Sequence, residues 1–261
     1  MKNNILRVFT FFTYSIIYFP IFVIALLSFN KSVKGYSFTG FTFHWYLEIF
    51  RDARLLEAIT NTLSIAVLST IIATFIGTFT AIGINSLSKS NKFKMMIINN
   101  VPIINPDIVT GISLMLVLSL LPISFGLSTM LLAHIFFSIP FVILTVLPKL
   151  KRLDKNLYDA ALDLGCTRLQ AIYKVIIPAI KSSIIAGALI AFTMSIDDFV
   201  ISYFTTGNGF QNVSLWIYSR LGRRSFNPAV YSYNTLIVFI TITGLIVFNK
   251  VTNNRKLKEI K

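Results

Sequence analysis

The chain has 261 residues, of which 55% are hydrophobic and 13% charged, and its mean hydropathy is +0.74. This composition supplies too little polar surface to cover a soluble globular protein of that size, so we expect a membrane protein. The formal charge of +14 is compatible with nucleic-acid binding, but the Lys and Arg residues cluster between apolar runs, which is typical of membrane topology and argues against a nucleic-acid partner.

Six apolar windows are each long enough to cross a bilayer as a helix, which takes roughly 20 residues. These windows are Val8–Phe29, Asn61–Asn85, Met95–Leu121, Leu127–Leu147, Ile184–Phe204 and Val230–Phe248. Lys2 and Arg7 precede the first window as in a secretion signal, but the window is too long for a cleaved hydrophobic region, and we interpret it as a retained helix. Only Pro122–Gly126 separates the third window from the fourth, which predicts a tight hairpin. The sequence therefore predicts an all-α integral membrane protein with six transmembrane helices.

The distribution of basic residues predicts that both termini are cytosolic. With the N-terminus inside, the cytosol holds 17 of the 24 Lys and Arg residues. Two precede the first window, three lie between the second and third, seven lie in 149–182 and five in the tail. An excess of cationic residues on the cytosolic side is what the positive-inside rule requires.

The second window carries a small residue at every fourth position, Ser69, Ala73, Gly77 and Ala81. Residues with this spacing share one helix face and allow another helix to approach closely. Packing within the chain and packing against another subunit are equally compatible with the pattern.

In the third window, Pro102 and Pro106 each remove a backbone donor and are predicted to break the helix near Asp107. A broken helix within a membrane is tolerated where it is buried in protein or lines water, and transporters use such breaks around their substrates. Asp107 is accordingly a candidate pathway residue, or else part of a kinked packing element whose polar groups bond to neighbouring helices.

The segment between the fourth and fifth windows predicts two short amphipathic helices. Asp154 is a suitable N-cap for the first, and Gly165 follows it as a C-terminal stop. Thr167 and Gln170 fit a capping box for the second, and Pro178 is predicted to end or kink the helix that follows. Such a pair either docks in a groove of another protein or lies on the membrane surface. Periodicity and charge leave both interpretations open.

The fifth window carries Asp197 and Asp198 in its outer part. Adjacent helical residues are about 100° apart, so the two carboxylates face one point only if the helix is irregular. No window contains a basic residue, so a cationic substrate, a partner subunit or protonation must offset these charges. Phe199 and Tyr203 suit an organic cation through their ring faces, although aromatic residues also anchor helices at the membrane interface.

Catalytic and metal-binding side chains do not cluster in the sequence. His134 is alone in its window, where we expect a hydrogen-bonded packing role, and His44 lies outside the windows. Cys166 is the single cysteine, which excludes an intramolecular disulfide and a multi-cysteine metal site. We expect no catalytic residue, no metal and no cofactor.

One motif resembles the EAA loop of ABC-importer permeases. The family pattern is Glu-Ala-Ala, three residues, Gly, nine residues, an aliphatic residue, any residue, an aliphatic residue and Pro. The matching positions, with Asp in place of the Glu, are Asp159, Ala160, Ala161, Gly165, Val175, Ile177 and Pro178. In that family the loop couples the permease to a cytosolic ATPase, which the resemblance implies for Asp159, Ala160, Ala161, Gly165 and Pro178 here.

The wider resemblance runs from about Ala58 to Asn249 and implies the type I importer permease fold. It divides the chain into a first transmembrane helix with an extracytosolic segment (1–56), a permease core (57–249) with the coupling loop at 154–178, and a basic cytosolic tail (250–261). It also implies a bacterial cytoplasmic membrane protein whose partners are a second permease subunit, a cytosolic ATPase dimer, an extracytosolic substrate-binding protein and the lipid bilayer.

The acidic pattern resembles the spermidine/putrescine branch of this family, which carries Asp-Asp in the fifth helix and the Pro-Asp-Ile-Val stretch found here at Pro106–Val109. The resemblance implies a polyamine substrate, and carboxylates interleaved with aromatic rings suit such a chain of ammonium groups. The implied pathway residues are Asp107, Asp197, Asp198, Phe199 and Tyr203. Iron, anions and amino-acid-like compounds are the alternative substrates.

A proton-coupled secondary transporter is the alternative from another class, because intramembrane Asp residues can relay protons. The EAA-like motif and the lack of an evident inverted repeat argue against it. The sequence has no G-x-x-x-x-G-K-[ST] motif, so we expect ATP hydrolysis by a partner subunit and no enzymatic activity in this chain.

Overall fold

The computed structural model describes residues 2–32, 38–154, 156–220 and 228–243, and within these ranges the chain is helical and has no strands. Lys155 of the predicted coupling loop, the end of the sixth window (244–248) and the basic tail (250–261) lie outside the described residues. The helices are α1 Lys2–Ser28, α2 His44–Ile49, α3 Ala53–Ser86, α4 Lys89–Ile104, α5 Asp107–Ser119, α6 Leu127–Lys151, α7 Asn156–Asp163, α8 Arg168–Ala171, a π-helical turn Ile172–Ile176, α9 Ile177–Ile196, α10 Val200–Thr205, α11 Val213–Arg220 and α12 Ala229–Thr243.

Over its described residues, each predicted window is mainly helical. Four stretches of described helix are long and apolar enough to cross a membrane, namely Leu6–Ser28, Ala53–Ser86, Leu127–Lys151 and Arg168–Ile196. The third window forms the bent pair α4 and α5, whose axes differ by 103°, and the sixth contains the shorter α12. The short connection predicted near Pro122 is present, because α5 ends at Ser119 and α6 begins at Leu127. The number of complete crossings, six, stays a prediction.

The two prolines of the third window behave differently. Pro102 lies inside α4, whereas the break falls at Asn105 and Pro106, both of which have extended backbone. The prediction that Pro102 breaks the helix is therefore wrong, since one missing donor is tolerated there, and the prediction for Pro106 is confirmed.

Of the two outcomes predicted at Pro178, an end or a kink of the helix, the first does not occur. The stretch Arg168–Ile196 is one helix, and Pro178 occupies the first turn of α9. The preceding turn is π-helical, with the Ile177 N–H donating to the Ile172 carbonyl. A proline ring clashes with the carbonyl four residues earlier in a regular α-helix. We attribute the continuity to this wider turn, which moves that carbonyl away from the ring.

The chain forms two compact units, residues 1–56 with 217–261, and residues 57–216. In the first unit, the segment after α1 folds back through the bridge between Asn30 and Phe41. The Trp45 indole donates to the Asn30 carbonyl at 2.7 Å, and the Ser28 hydroxyl lies 2.8 Å from that of Tyr46. The division into a core and flanking functional parts, with boundaries at 57 and 249, stays a prediction.

The second unit is built around α6, which packs against α9. Its main core cluster also draws on the end of α3, and it consists of Ala81, Ile84, Val142, Ile143, Val146, Leu147, Leu150, Ile176, Ile180 and Ala191. The small-residue face of α3 belongs to this packing: Ser69, Ala73 and Ala81 are fully buried within the chain. At Gly77 a Cβ would lie 2.8 Å from the Val142 side chain. The face is therefore used inside the subunit, which resolves the alternative left open by the sequence.

We predict that Gly77→Ala destabilises the protein while Gly83→Ala, on the same helix, does not. The added methyl at position 77 overlaps Val142, and overpacking of this kind costs about 1–3 kcal/mol. At position 83 nothing lies within 4 Å of the new Cβ, so only the better helix propensity of Ala acts. Thermal unfolding of the two purified variants in detergent measures the difference. Equal midpoints would contradict the proposed contact between α3 and α6.

Candidate functional site

Asp107 lies at the beginning of a helix created by the break in the third window. Pro106, with φ −56° and ψ 139°, precedes α5, and its carbonyl accepts hydrogen bonds from the Val109 and Thr110 N–H groups at 2.9 and 3.2 Å. Asp107 is the only acidic residue in the first turn of α5, where a carboxylate interacts favourably with the helix dipole. Its side chain is exposed on this chain.

The fifth window is also broken. Asp197 ends α9 as its C-terminal cap, and α10 begins at Val200. The Asp198 carboxylate accepts hydrogen bonds from the backbone N–H groups of Ile201 and Ser202, at 3.3 and 2.7 Å, and so caps α10. The adjacent aspartates thus have different environments: Asp197 is exposed, and the side chain of Asp198 is only 9% exposed.

Asp198 belongs to a buried polar network that we define as His134, Ser195, Asp198, Ser202 and Asn212. The fully buried His134 ring places Nδ1 2.6 Å from Ser195 Oγ and Nε2 3.0 Å from Ser202 Oγ. Its Nε2 also lies 3.6 Å from Asp198 Oδ2. The Asn212 amide donates to Ser202 Oγ at 2.8 Å and to the Asp198 carbonyl at 3.2 Å. The network therefore fixes both helix ends at the break.

Close packing of α5 against α10 brings the two breaks together. A Cβ at Gly111 of α5 would lie 2.8 Å from the Phe204 ring, so the helices approach as near as glycine permits. The carboxylates of Asp107 and Asp197 each interact electrostatically with that of Asp198. We call Asp107, Asp197 and Asp198 the acidic cluster.

Two aromatic residues predicted for the site lie beside this cluster. Phe199 follows Asp198 directly, and its ring centroid is 5.7 Å from that of Tyr203 one turn later in α10. Phe199 is half-buried against Ile65, Met130 and Leu215, whereas Tyr203 is 49% exposed. The arrangement offers exposed carboxylates and one exposed aromatic ring on neighbouring helix ends, which is chemistry suited to an organic cation.

The coupling loop, residues 154–178, has the local structure predicted for it. The Asp154 carboxylate accepts the Asn156 N–H at 2.9 Å, and Thr167 and Gln170 form the reciprocal capping box. Gly165 has φ +87°, and the Cys166 N–H donates back to the Ala161 carbonyl at 3.1 Å. A left-handed residue at this position ends one helix and turns the chain into the next.

The two adjacent alanines of the coupling loop differ in exposure. Ala161 is buried against the rest of the chain, whereas Ala160 and Asp159 are exposed. Two large apolar side chains at the bend are exposed, Leu164 by 87% and Leu169 by 66%. Apolar side chains so exposed in a soluble loop are typical of a contact surface.

The chain matches the family described as "Binding-protein-dependent transport system inner membrane component" over residues 73–255. It belongs to that family. It is 30% identical over 244 residues to the spermidine/putrescine transport system permease protein PotC of Haemophilus influenzae, covering 94% of this chain and 95% of the relative. It is 33% identical over 242 residues to PotC of Escherichia coli K12, covering 93% and 91% of the two chains. It is 32% identical to the putrescine transport system permease protein PotI of Escherichia coli K12, covering 90% and 86%.

Solved structures share the fold. A bacterial ABC transporter involved in the import of the acidic polysaccharide alginate matches with a TM-score of 0.70 at 16% identity, covering 97% of this chain and 96% of that one. An amino acid ABC transporter with histidines matches with a TM-score of 0.55 at 19% identity, covering 79% and 97%. The permease fold and the inner-membrane location are confirmed, as is the prediction that this family member is a transport subunit rather than an enzyme. The side of each terminus stays a prediction.

The polar network is the part of the site that the sequence did not identify. The predicted role of His134 as a hydrogen-bonded packing residue is confirmed, but its partners were not predictable, because they lie 61 and 68 residues away along the chain. Asp198 is a residue type that caps helices, but it lies one position before the N-cap Phe199, so its bonds to the Ile201 and Ser202 N–H groups do not have the usual cap spacing. Within the described ranges, no group of three or more His, Cys, Asp or Glu side chains is arranged to hold a metal ion.

We predict that Asp198→Ala lowers the stability of the protein, whereas Asp197→Ala leaves it nearly unchanged. Removing the buried carboxylate frees two backbone donors of α10 and one partner of the polar network, and a lost cap costs about 0.5–2 kcal/mol. Thermal unfolding of the two variants in the same detergent compares neighbouring residues of identical chemistry. The assignment of Asp198 as a cap is incorrect if Asp197→Ala is the more destabilising change.

Proposed function

We propose that this chain is one permease subunit of an ATP-driven, binding-protein-dependent importer of polyamines, and that it forms half of the translocation pathway. The observation that carries the proposal is the acidic cluster beside Phe199 and Tyr203, formed where two broken helices meet. The names of the relatives PotC and PotI, which refer to spermidine and putrescine transport, support a polyamine cargo for this chain.

The charges of the cluster favour a cationic cargo over an anionic one. Asp107 and Asp197 are exposed and so available to ammonium groups, while Asp198 adds negative potential from behind them. An anionic cargo would be repelled by these carboxylates. A flexible diamine can place each of its ammonium groups against a different carboxylate and its methylene chain against the Tyr203 ring.

The partners of the proposed importer follow from the family and from the coupling loop. The family description names a binding-protein-dependent system, and one structural neighbour was solved in complex with a periplasmic protein carrying an alginate pentasaccharide. The exposed Asp159, Ala160, Leu164 and Leu169 are the surface we assign to the ATPase, with one copy of the ATPase for each permease subunit. A second permease subunit completes the pathway.

We predict that Asp107→Asn and Asp197→Asn each reduce putrescine uptake by on the order of tenfold, the effect of about 1.4 kcal/mol of lost attraction. Uptake is measured in proteoliposomes containing the assembled complex, binding protein and ATP. Glu57→Gln, an exposed acidic residue outside the cluster, serves as the control. Spermidine should compete with labelled putrescine, and 1,4-butanediol, of similar length but uncharged, should not.

Wild-type uptake by the Asp107→Asn and Asp197→Asn double variant would contradict the assignment of the cluster to cargo. Uptake that continues without the ATPase and collapses with an uncoupler would instead favour a proton-coupled transporter. Competition by histidine or iron, without competition by spermidine, would replace the polyamine with another cargo.

We predict that Gly165→Val lowers cargo-stimulated ATP hydrolysis about 5- to 30-fold, while Gly165→Asn largely preserves it. Nothing lies within 4 Å of a Cβ at this position, so the effect comes from the positive φ alone. A β-branched residue disfavours that conformation, whereas Asn adopts it readily. Membrane insertion and ATPase co-purification are measured alongside the hydrolysis rate. Equal rates for the two variants would show that the turn does not control coupling.

A further inference from the structure

A cavity of about 680 Å³ lies beneath the coupling loop, within the second unit. It is formed where the ends of α3 and α6 meet the first residues of α4, the helix α7 and the π-helical turn. Its walls are Phe79, Ile82, Gly83, Asn85, Ser86, Lys92, Leu150, Lys151, Leu153, Asp154, Tyr158, Ile172 and Ile176. This volume is typical of a small-molecule site.

The cavity is amphipathic. Apolar side chains, among them Phe79, Ile82 and Ile176, give it an apolar wall, and the polar side chains of the lining include Asn85, Ser86, Lys92, Lys151 and Asp154. A ligand that fits must therefore combine a polar group with a hydrocarbon portion.

One cationic group of the cavity is held in place. The Lys92 ammonium donates to the Asn85 carbonyl at 2.8 Å and to Asn85 Oδ1 at 3.1 Å. An ammonium has three donor hydrogens, and these bonds account for two of them. Lys92 is thus positioned at the cavity wall rather than extended into solvent.

The charge of the lining favours an anion. Lys92 and Lys151 contribute two positive charges, and Asp154 contributes one negative charge. The Asp154 carboxylate accepts the Asn156 N–H and so is already engaged in capping α7. Both lysines belong to segments that the positive-inside rule places at the cytosolic membrane surface.

We propose that this cavity binds a membrane phospholipid, with the lipid phosphate at Lys92 and Lys151 and the glycerol and acyl portion on the apolar wall. Basic pockets between transmembrane helices on the cytosolic side recognise lipid headgroups by this chemistry. Because Tyr158, Ile172 and Ile176 belong to the coupling loop, the bound lipid ties that loop to α3 and α6. The regulatory consequence, control of ATPase coupling, rests on the proposed function; the binding itself rests only on the predicted cytosolic side.

Native mass spectrometry of the detergent-extracted complex tests the binding. The test variant is Lys92→Gln with Lys151→Gln. The matched control is Lys94→Gln with Lys149→Gln, which removes two lysines from the same helices, neither of which lines the cavity. We expect retention of added phosphatidylglycerol to fall about fivefold for each cavity lysine removed and to stay near wild type in the control. Lys92→Arg with Lys151→Arg, which keeps the charges, should retain the lipid and excludes misfolding as the cause.

Equal loss in the test and control variants would overturn the proposal, because it would indicate general attraction of lipid to a basic surface. A bound species with the mass of inorganic phosphate, displaced by millimolar phosphate, would overturn the lipid assignment. The second readout is cargo-stimulated ATP hydrolysis in nanodiscs with and without phosphatidylglycerol, which should depend on the lipid only while the cavity lysines are present. Lipid retention is measured without cargo, so a failure of polyamine uptake leaves this test intact.

Discussion

A helix that is interrupted within a membrane must find partners for the backbone groups that the interruption frees, because lipid provides none. The break between α9 and α10 meets this constraint through side chains from several elements. Asp198 accepts the N–H groups of Ile201 and Ser202, and Asn212 donates to the Asp198 carbonyl. His134 of α6 links Ser195 before the break to Ser202 after it. The irregular backbone that forms the acidic cluster therefore depends on a polar network buried behind it.

The same constraint assigns different tasks to two adjacent aspartates. In a regular helix the two side chains would point about 100° apart. Here the break places the Asp198 side chain inside the protein and leaves Asp197 at its surface. The Asp198 carboxylate is hydrogen-bonded within the protein, so we expect it to act on a cargo by long-range electrostatics and not by direct contact. Asp197 and Asp107 are exposed, and neither belongs to the polar network. A carboxylate can thus stabilise the site without binding the cargo. Comparison of single variants at Asp197 and Asp198 distinguishes an effect on stability from an effect on transport.

The local features of the coupling loop were predictable because each depends on residues close in sequence. Gly165, Thr167 and Gln170 act within one or two turns, so their chemistry alone specifies a stop and a capping box. The break at Pro106 is local for the same reason. The network around His134 was not predictable, since its members are brought together by the packing of α6, α9 and α10. The π-helical turn before Pro178 was not predicted, because such turns are rare and the prediction considered only an end or a kink of the helix.

The continuous helix through Pro178 runs from the predicted coupling loop to the acidic cluster. Arg168–Ile196 contains 29 residues and spans about 44 Å at the α-helical rise, from the second half of the coupling loop to Asp197. Near its loop end, the π-helical turn and the missing donor of Pro178 weaken the hydrogen-bond ladder over 172–178. Beyond residue 178, Ile180 and Ala191 of α9 are fully buried in the second unit. In the importer proposed above, we expect a displacement of the loop to be absorbed in part by bending at 172–178 and otherwise to be transmitted along α9. The far end of α9 carries Ser195, which contacts His134, so we expect such a movement to act on the polar network beside the acidic cluster without direct contact between loop and cargo.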